Sequence, residues 1–218
     1  MSDIFREVDE EVRQDRALAL WNKHQNLILA VAAIIVIAAG GYRFWQGQQV
    51  KAAEAANEKF QAAMALSRDD KPAEAHAAFE AIAKDAPKGY AMLARMRAAA
   101  ELGATDKPGA VKAFDALAND NTLDPLMRDD ARLRAALLRV DGADRKEMEQ
   151  RLQTLAAGGA AFRSTARELL AMVAMRDNDF DAMGRWLDQI VTDTEAPQAI
   201  KQRAEAFLGL VRSARKAK

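Results

Sequence analysis

Ala94-Arg95-Met96-Arg97-Ala98-Ala99 returns further along the chain as Ala131-Arg132-Leu133-Arg134-Ala135-Ala136. It returns more faintly as Ala166-Arg167-Glu168-Leu169-Leu170-Ala171, and then at Gln202-Arg203. The arginines Arg95, Arg132, Arg167 and Arg203 are spaced by 37, 35 and 36 residues. A second column lies between them: Ala75 and Phe79 match Ala110 and Phe114, then Met148 and Leu152, then Met183 and Leu187. A unit of about 35 residues, made of two amphipathic stretches and two turns, cannot bury its apolar face alone and must stack on its neighbours. This period restricts the chain to an all-α array of helix pairs. Composition agrees: alanine dominates the apolar residues, proline occurs 5 times, and aromatics are 6%, so close helix approach rather than bulk must fill the core.

Turn residues mark the helix boundaries. Arg68-Asp69-Asp70-Lys71-Pro72 breaks the first pair and Asp85-Ala86-Pro87 closes it. Gly103 to Gly109 breaks the second pair, and Asp124-Pro125 opens the third. Asp141-Gly142, Gly158-Gly159 and Asp177-Asn178-Asp179 mark the later turns. A last helix beginning near Pro197, with Ile200, Ala204, Phe207, Leu208 and Val211 on one face and a polar end, suits a terminal cap. The spacing, and the arrangement Ala75, Phe79, Ile82 and Pro87, resemble the back half of a tetratricopeptide repeat. Ala75, Phe79, Ala110, Phe114, Leu152 and Leu187 are the expected repeat-packing residues.

Ahead of the repeats, Leu27 to Tyr42 is an uncharged run of sixteen residues. Leu18, Leu20 and Trp21 before it and Phe44 and Trp45 after it extend it to the length a bilayer requires. Trp21 and Trp45 are 24 residues apart, roughly 36 Å along a helix, a span suited to aromatic anchors at two interfaces. The expected organisation is an acidic amphipathic tail over 1–20, a transmembrane anchor over 21–45 that includes Leu27, Ile34, Ile35 and Tyr42, and a repeat domain with its capping helix over 46–218. The tail places Ile4, Phe5, Val8 and Val12 at helical spacing. Upstream of the run, Asp3, Glu7, Asp9, Glu10, Glu11 and Asp15 outnumber Arg6, Arg13, Arg16 and Lys23, which is not the positive region of a cleaved signal peptide. Basic residues flank the span almost evenly. A short tail before a long C-terminal domain favours the N-terminus inside and the domain outside.

Met1-Ser2-Asp3-Ile4-Phe5-Arg6-Glu7-Val8-Asp9-Glu10-Glu11, then Leu20-Trp21-Asn22-Lys23, the span and the repeats resemble in order and layout the bacterial YfgM-like family. The resemblance implies a single-pass inner-membrane protein with a cytoplasmic N-terminus and a periplasmic tetratricopeptide-like domain. It would be an ancillary component of the SecYEG translocon, with secreted proteins and a periplasmic chaperone as partners. It carries no catalytic residues. The alternative expectation is a structural coordinator of cell-envelope assembly or division.

The remaining chemistry is sparse. Lys+Arg and Asp+Glu are 32 each, so no net field draws nucleic acid. Cysteine is absent, which removes disulfides, thiolate chemistry and cysteine-held metals. Asp177-Asn178-Asp179-Phe180-Asp181 begins like a calcium loop, but Ala182 stands where the sharp turn needs glycine, so a helix-connecting turn is expected. His24 and His76 are the only histidines. His76 is expected on a solvent-facing surface, and its pairing with Glu80 falls short of a zinc site. No nucleophile constellation or phosphate loop occurs. No enzyme, cofactor or small-molecule substrate is expected. The candidate partner-binding residues are Arg95, Arg132, Arg167 and Arg203, stacked either as a basic stripe for a carboxylate-bearing segment or as internal pairs with neighbouring helices.

Overall fold

The computed structural model describes the backbone of residues 3–216, and side chains except those of 1–17, 19, 20, 22, 28, 215, 217 and 218. The apolar stripe expected from Ile4, Phe5, Val8 and Val12 therefore lies outside the described side chains. The described residues form nine α-helices and no strand: α1 (Asp3–Arg68), α2 (Pro72–Asp85), α3 (Lys88–Thr105), α4 (Lys107–Ala118), α5 (Pro125–Arg139), α6 (Arg145–Ala156), α7 (Arg163–Arg176), α8 (Phe180–Val191) and α9 (Gln198–Lys216). The chain divides into two units, Met1–Glu54 and Ala55–Lys218.

The first unit is helical. Leu27, Leu29, Val31, Ile34, Ile35, Val36, Ile37, Tyr42, Phe44 and Trp45 are all exposed, and they occupy every side of the helix. The rings of Tyr42 and Trp45 lie 6.2 Å apart, tilted by 36°. Lys23–Arg68 is the stretch of described helix long and apolar enough to cross a membrane, and none of its apolar window is buried. A helix apolar all round finds its cover in a protein core or in lipid.

The second unit is a solenoid-like array in which each helix packs on the next. Its core falls into four clusters. The first joins Ala63 of α1, Ala75, Phe79 and Ile82 of α2, and Ala94 and Ala98 of α3. The second joins Met96 and Ala99 of α3, Phe114 and Leu117 of α4, and Ala131 and Ala135 of α5. The third runs from Leu133 and Ala136 of α5 through Met148 and Leu152 of α6 to Leu169 and Val173 of α7. The fourth runs from Ala171 and Ala174 of α7 through Met183 and Leu187 of α8 to Ala204 and Val211 of α9. Each repeat's second helix (α2, α4, α6 or α8) is thus held between two first helices. Each of α3, α5 and α7 serves two clusters.

The recurring hexapeptide can be read position by position from this arrangement. Ala94 and Ala98 face the cluster behind, while Met96 and Ala99 face the cluster ahead. Ala131 and Ala135, then Leu133 and Ala136, do the same one repeat later. Two opposed buried faces leave little circumference for bulk, so alanine lines most of it. All six expected packing residues are buried: Ala75, Phe79, Ala110, Leu152 and Leu187 are 0–2 % exposed, as is Phe114. Phe79 also meets Phe60 edge-on at 5.1 Å.

Helix ends follow local chemistry. Asp106, Asp144 and Asp179 cap α4, α6 and α8 by accepting from the backbone N–H of Gly109, Glu147 and Ala182 at 3.0, 2.7 and 2.8 Å. Asp70 and Asn178 adopt φ of 57° and 56° at the turns after α1 and α7, a left-handed conformation that Asp and Asn tolerate better than most residues. The segment after α7 is therefore a turn that ends in the α8 cap. The break expected over Gly103–Gly109 shrinks to one residue, Asp106. Gly103 lies within α3, where a Cβ would make an ordinary contact of 3.4 Å with Leu138 Cδ2 of α5. Gly109 lies beneath the capping carboxylate, where a Cβ would collide with Asp106 Oδ2.

Phe114 sits at the centre of its cluster, between α3 and α5. Phe114→Ala is expected to destabilise the protein by about 3–5 kcal/mol, measured by denaturant unfolding. An unchanged midpoint would contradict this packing register.

Candidate functional site

The four arginines of the sequence column lie on α3, α5, α7 and α9. Arg95 Nη1 donates to Asp120 Oδ2 at 2.7 Å, just past the end of α4. Arg132 Nη2 donates to the carbonyl of Ala118, the last residue of α4, at 3.1 Å, and its Nη1 donates to Asp129 at 2.6 Å. Arg167 Nε donates at 3.0 Å to the carbonyl of Ala156, the last residue of α6. Its Nη1 reaches the carbonyl of Gln189, near the end of α8, at 3.2 Å. These three arginines bring positive charge to the carbonyl ends of the second helices, where the helix dipole is negative and the last C=O groups lack helical partners. Arg203 departs from that pattern, making a bidentate pair with Glu168 of α7 at 2.7 and 2.8 Å. Glu168 is 6 % exposed, so the pair fastens the last helix over a buried carboxylate.

The column is not a uniform outward stripe. The Arg167 side chain is 10 % exposed, against 38 % for Arg95, 36 % for Arg132 and 54 % for Arg203. Its guanidinium reaches the ends of both α6 and α8, where three acceptors use it. His76 also departs from expectation: it is half-buried, and its Nδ1–H donates to the Ala98 carbonyl at 2.9 Å, which turns the ring toward α3. Among the described residues no cluster of three or more metal-binding side chains exists.

Several charge networks were not anticipated from the sequence. Arg139 and Arg151 both bind Glu147, and Arg151 continues to Asp115 on α4 at 2.8 Å. Arg145 joins the start of α6 to the Asp179 cap of α8 at 2.6 Å. Arg163 grips Asp193 at 2.6 and 3.0 Å and Glu195 at 2.7 Å. A signal was available: Ser67–Glu101, Asp115–Arg151, Arg145–Asp179 and Glu168–Arg203 bond at separations of 34, 36, 34 and 35 residues, one repeat period.

The networks hold their carboxylates in the charged form. Donation from Thr122 and then Arg95 lowers Asp120 from 3.8 to about 2. Arg139 and then Arg151 lower Glu147 from 4.5 to about 2, and Arg163 lowers Asp193 from 3.8 to about 2. Arg163 itself is raised, chiefly by its hydrogen bond to Asp193.

A stack of paired helices with Ala–Phe packing columns and capped second helices defines a helical-repeat protein. The chain belongs to the tetratricopeptide repeat-like domain family, which matches residues 19–182. Comparison with curated proteins and with solved structures returned no match. A domain of this kind is a protein–protein interaction module and implies protein partners.

Each of these three carboxylates binds protons more weakly when folded than when unfolded. Their contribution is complete above the unfolded values and is lost as pH falls through the folded ones. The melting temperature is expected to hold from pH 7 to about 5 and to drop between about 4.5 and 2, checked by thermal unfolding across that range. Arg167→Ala is expected to cost about 2–3 kcal/mol, because buried carbonyls lose a charged donor. The more exposed Arg132→Glu is expected to cost about 1 kcal/mol. Measuring partner capture by the folded Arg132→Glu protein separates the two readings of the column: retained capture marks scaffold, lost capture marks a contact.

Proposed function

We propose that this chain is a single-pass inner-membrane protein anchored through residues 21–45. Its repeat domain, residues 46–218, holds secreted proteins or a periplasmic chaperone beside the SecYEG translocon. The observation that carries this reading is the pairing of a helix whose apolar residues are exposed on every side with a repeat fold of an interaction family. Trp21, Leu27, Ile34, Ile35, Tyr42 and Trp45 are the proposed lipid-facing anchors. The N-terminal sequence and the order of tail, span and repeats support the translocon assignment through their resemblance to the YfgM-like family. The mechanism is local concentration. A tether turns capture of an emerging chain into a near-intramolecular event, raising occupancy without stronger contacts.

Topology and partner are tested together. Because the chain has no cysteine, Asn121→Cys, on the exposed turn between α4 and α5, offers a single thiol. Labelling by a membrane-impermeant reagent is expected once the outer membrane is permeabilised and before the inner membrane is broken. Photo-crosslinking from the repeat domain in living cells is then expected to trap translocon subunits or periplasmic proteins in export. Thiol protection until lysis would reverse the topology. Crosslinks to cell-wall or division machinery alone would replace the export reading with the structural one.

A further inference from the structure

The last helix is held differently from those before it. Each helix from α3 to α8 packs on a neighbour to either side, whereas α9 packs on α8 and touches α7 as the last element of the described residues. An end helix of a stack is secured by a single interface. The seat of α9 is formed by Glu168, Met172 and Met175 of α7 and by Met183 and Leu187 of α8, which line one small cavity with Phe207 of α9. This seat covers α9 incompletely. Ala204 and Val211 are buried, but Phe207 and Leu208 are half-buried and Leu210 is exposed.

Buried Glu168 decides what else this seat can hold. Both of its carboxylate oxygens accept from Arg203, and it has no other partner among the described residues. A buried carboxylate stripped of its cation is strongly unfavourable, so the seat does not stand empty. A helix that takes the place of α9 must bring an arginine to Glu168 and bulky apolar side chains one turn further on. Ile200, Arg203, Ala204, Phe207, Leu208 and Val211 of α9 form that pattern, and every copy of the chain carries it. The connector ahead of α9 is pinned to the body. Arg163 binds Asp193 and Glu195, and the Ala196 N–H donates to the Asp193 carbonyl at 3.2 Å. The joint at Ala196–Pro197 is therefore the place where α9 can turn away as a unit.

We propose that α9 exchanges between two copies of the chain, so that the α7–α8 seat of each holds the α9 of the other in a two-fold dimer. Exchange keeps every contact of the seat, including the pair between Glu168 and an arginine, and adds a contact between the two bodies that can cover Leu210. Swapping an identical terminal element is a low-cost route to a dimer, because the complementary surface already exists. The dimer is independent of what the domain meets in the cell and of the compartment in which it lies.

The test uses the full-length, cysteine-free chain in detergent. Two differently tagged copies, one with Met172→Cys and the other with Phe207→Cys, are co-expressed and treated with a short bis-maleimide. Both positions line the same cavity, so a link between the tags is expected, and none when Asn121→Cys replaces Phe207→Cys. No link between the tags, while a single chain carrying both cysteines links internally, would keep α9 on its own body and overturn the proposal. Charge reversal gives a second reading. Glu168→Arg alone and Arg203→Glu alone each mismatch the seat, whether α9 is exchanged or not. Mixed, each variant finds a matching α9 on the other chain. The mixture is expected to dimerise at least about tenfold more tightly than either variant alone, measured by sedimentation. A chain carrying both reversals restores the pair within itself and is expected to recover the melting temperature that each loses, which separates a lost pair from a misfolded seat. A mixture no more dimeric than its parts would overturn the exchange. If the Arg203→Glu chain captures a blocked peptide of residues 198–213 while copies never pair, the occupant is a separate basic amphipathic helix and the second-copy assignment falls.

Discussion

The repeat unit depends on a steric constraint: a first helix must lie close to two second helices at once. α3, α5 and α7 each contribute to two core clusters; the residues that do so are mainly alanine on α3 and α5, while α7 adds Leu169, Leu170 and Val173 to its alanines. A larger side chain on either face would push one neighbour away and, through a shared helix, disturb the next repeat. The large side chains are concentrated on the second helices, in Phe79, Phe114, Met148, Leu152, Met183 and Leu187, where a flanking helix on each side gives them room. Division of labour between small and large helices explains both the alanine content and its periodicity.

Ends of the second helices pose the next problem. Packed between two neighbours, such a helix exposes its last carbonyls in a crevice where water access is limited. Arginines from the first helices reach these ends, Arg132 to α4 and Arg167 to both α6 and α8. Aspartates cap the opposite ends of α4, α6 and α8. Opposite charges thus sit at opposite ends of the same helices, each complementing the dipole. Because the arrangement is repeated, residues one period apart become neighbours, and several ion pairs join them. Stability of this kind is distributed, since each repeat leans on the one before and the one after.

The polar surface left after these demands is available for recognition, and it differs between repeats. The groove beside α4 and α6, about 550 Å³, is lined by charged side chains that include the Arg151–Asp115 pair, whereas the one beside α6 and α8, about 590 Å³, is lined by Leu170, Trp186 and exposed glutamines. Divergence among the repeats is therefore where a shared scaffold acquires individual character, while conformity lies in the buried columns. An apolar helix ahead of such a scaffold would set where that character is displayed. Placement, rather than unusually strong contacts, would then govern what the domain meets.

Periodicity alone determined the all-α class, the pairing of helices, the slots of Phe79 and Phe114 and the apolar run from Leu27 to Tyr42, because burial needs and helical geometry act within a few turns of chain. The caps at Asp106, Asp144 and Asp179 were equally local. Only the tertiary structure decided where the guanidinium groups go. Arg95, Arg132, Arg167 and Arg203 form one column in sequence yet differ in partner and burial, because a long flexible side chain reaches whichever carbonyl or carboxylate the neighbouring helix presents. Gly103 reads as a helix breaker and is helical, since α3 packs against both α2 and α4 and that packing outweighs the cost of one glycine. His76 turns to the Ala98 carbonyl for the same reason, as the acceptor belongs to another helix. The groove at Trp186 arises where helices one repeat apart fail to close over it, and no local pattern in the sequence encodes that distance.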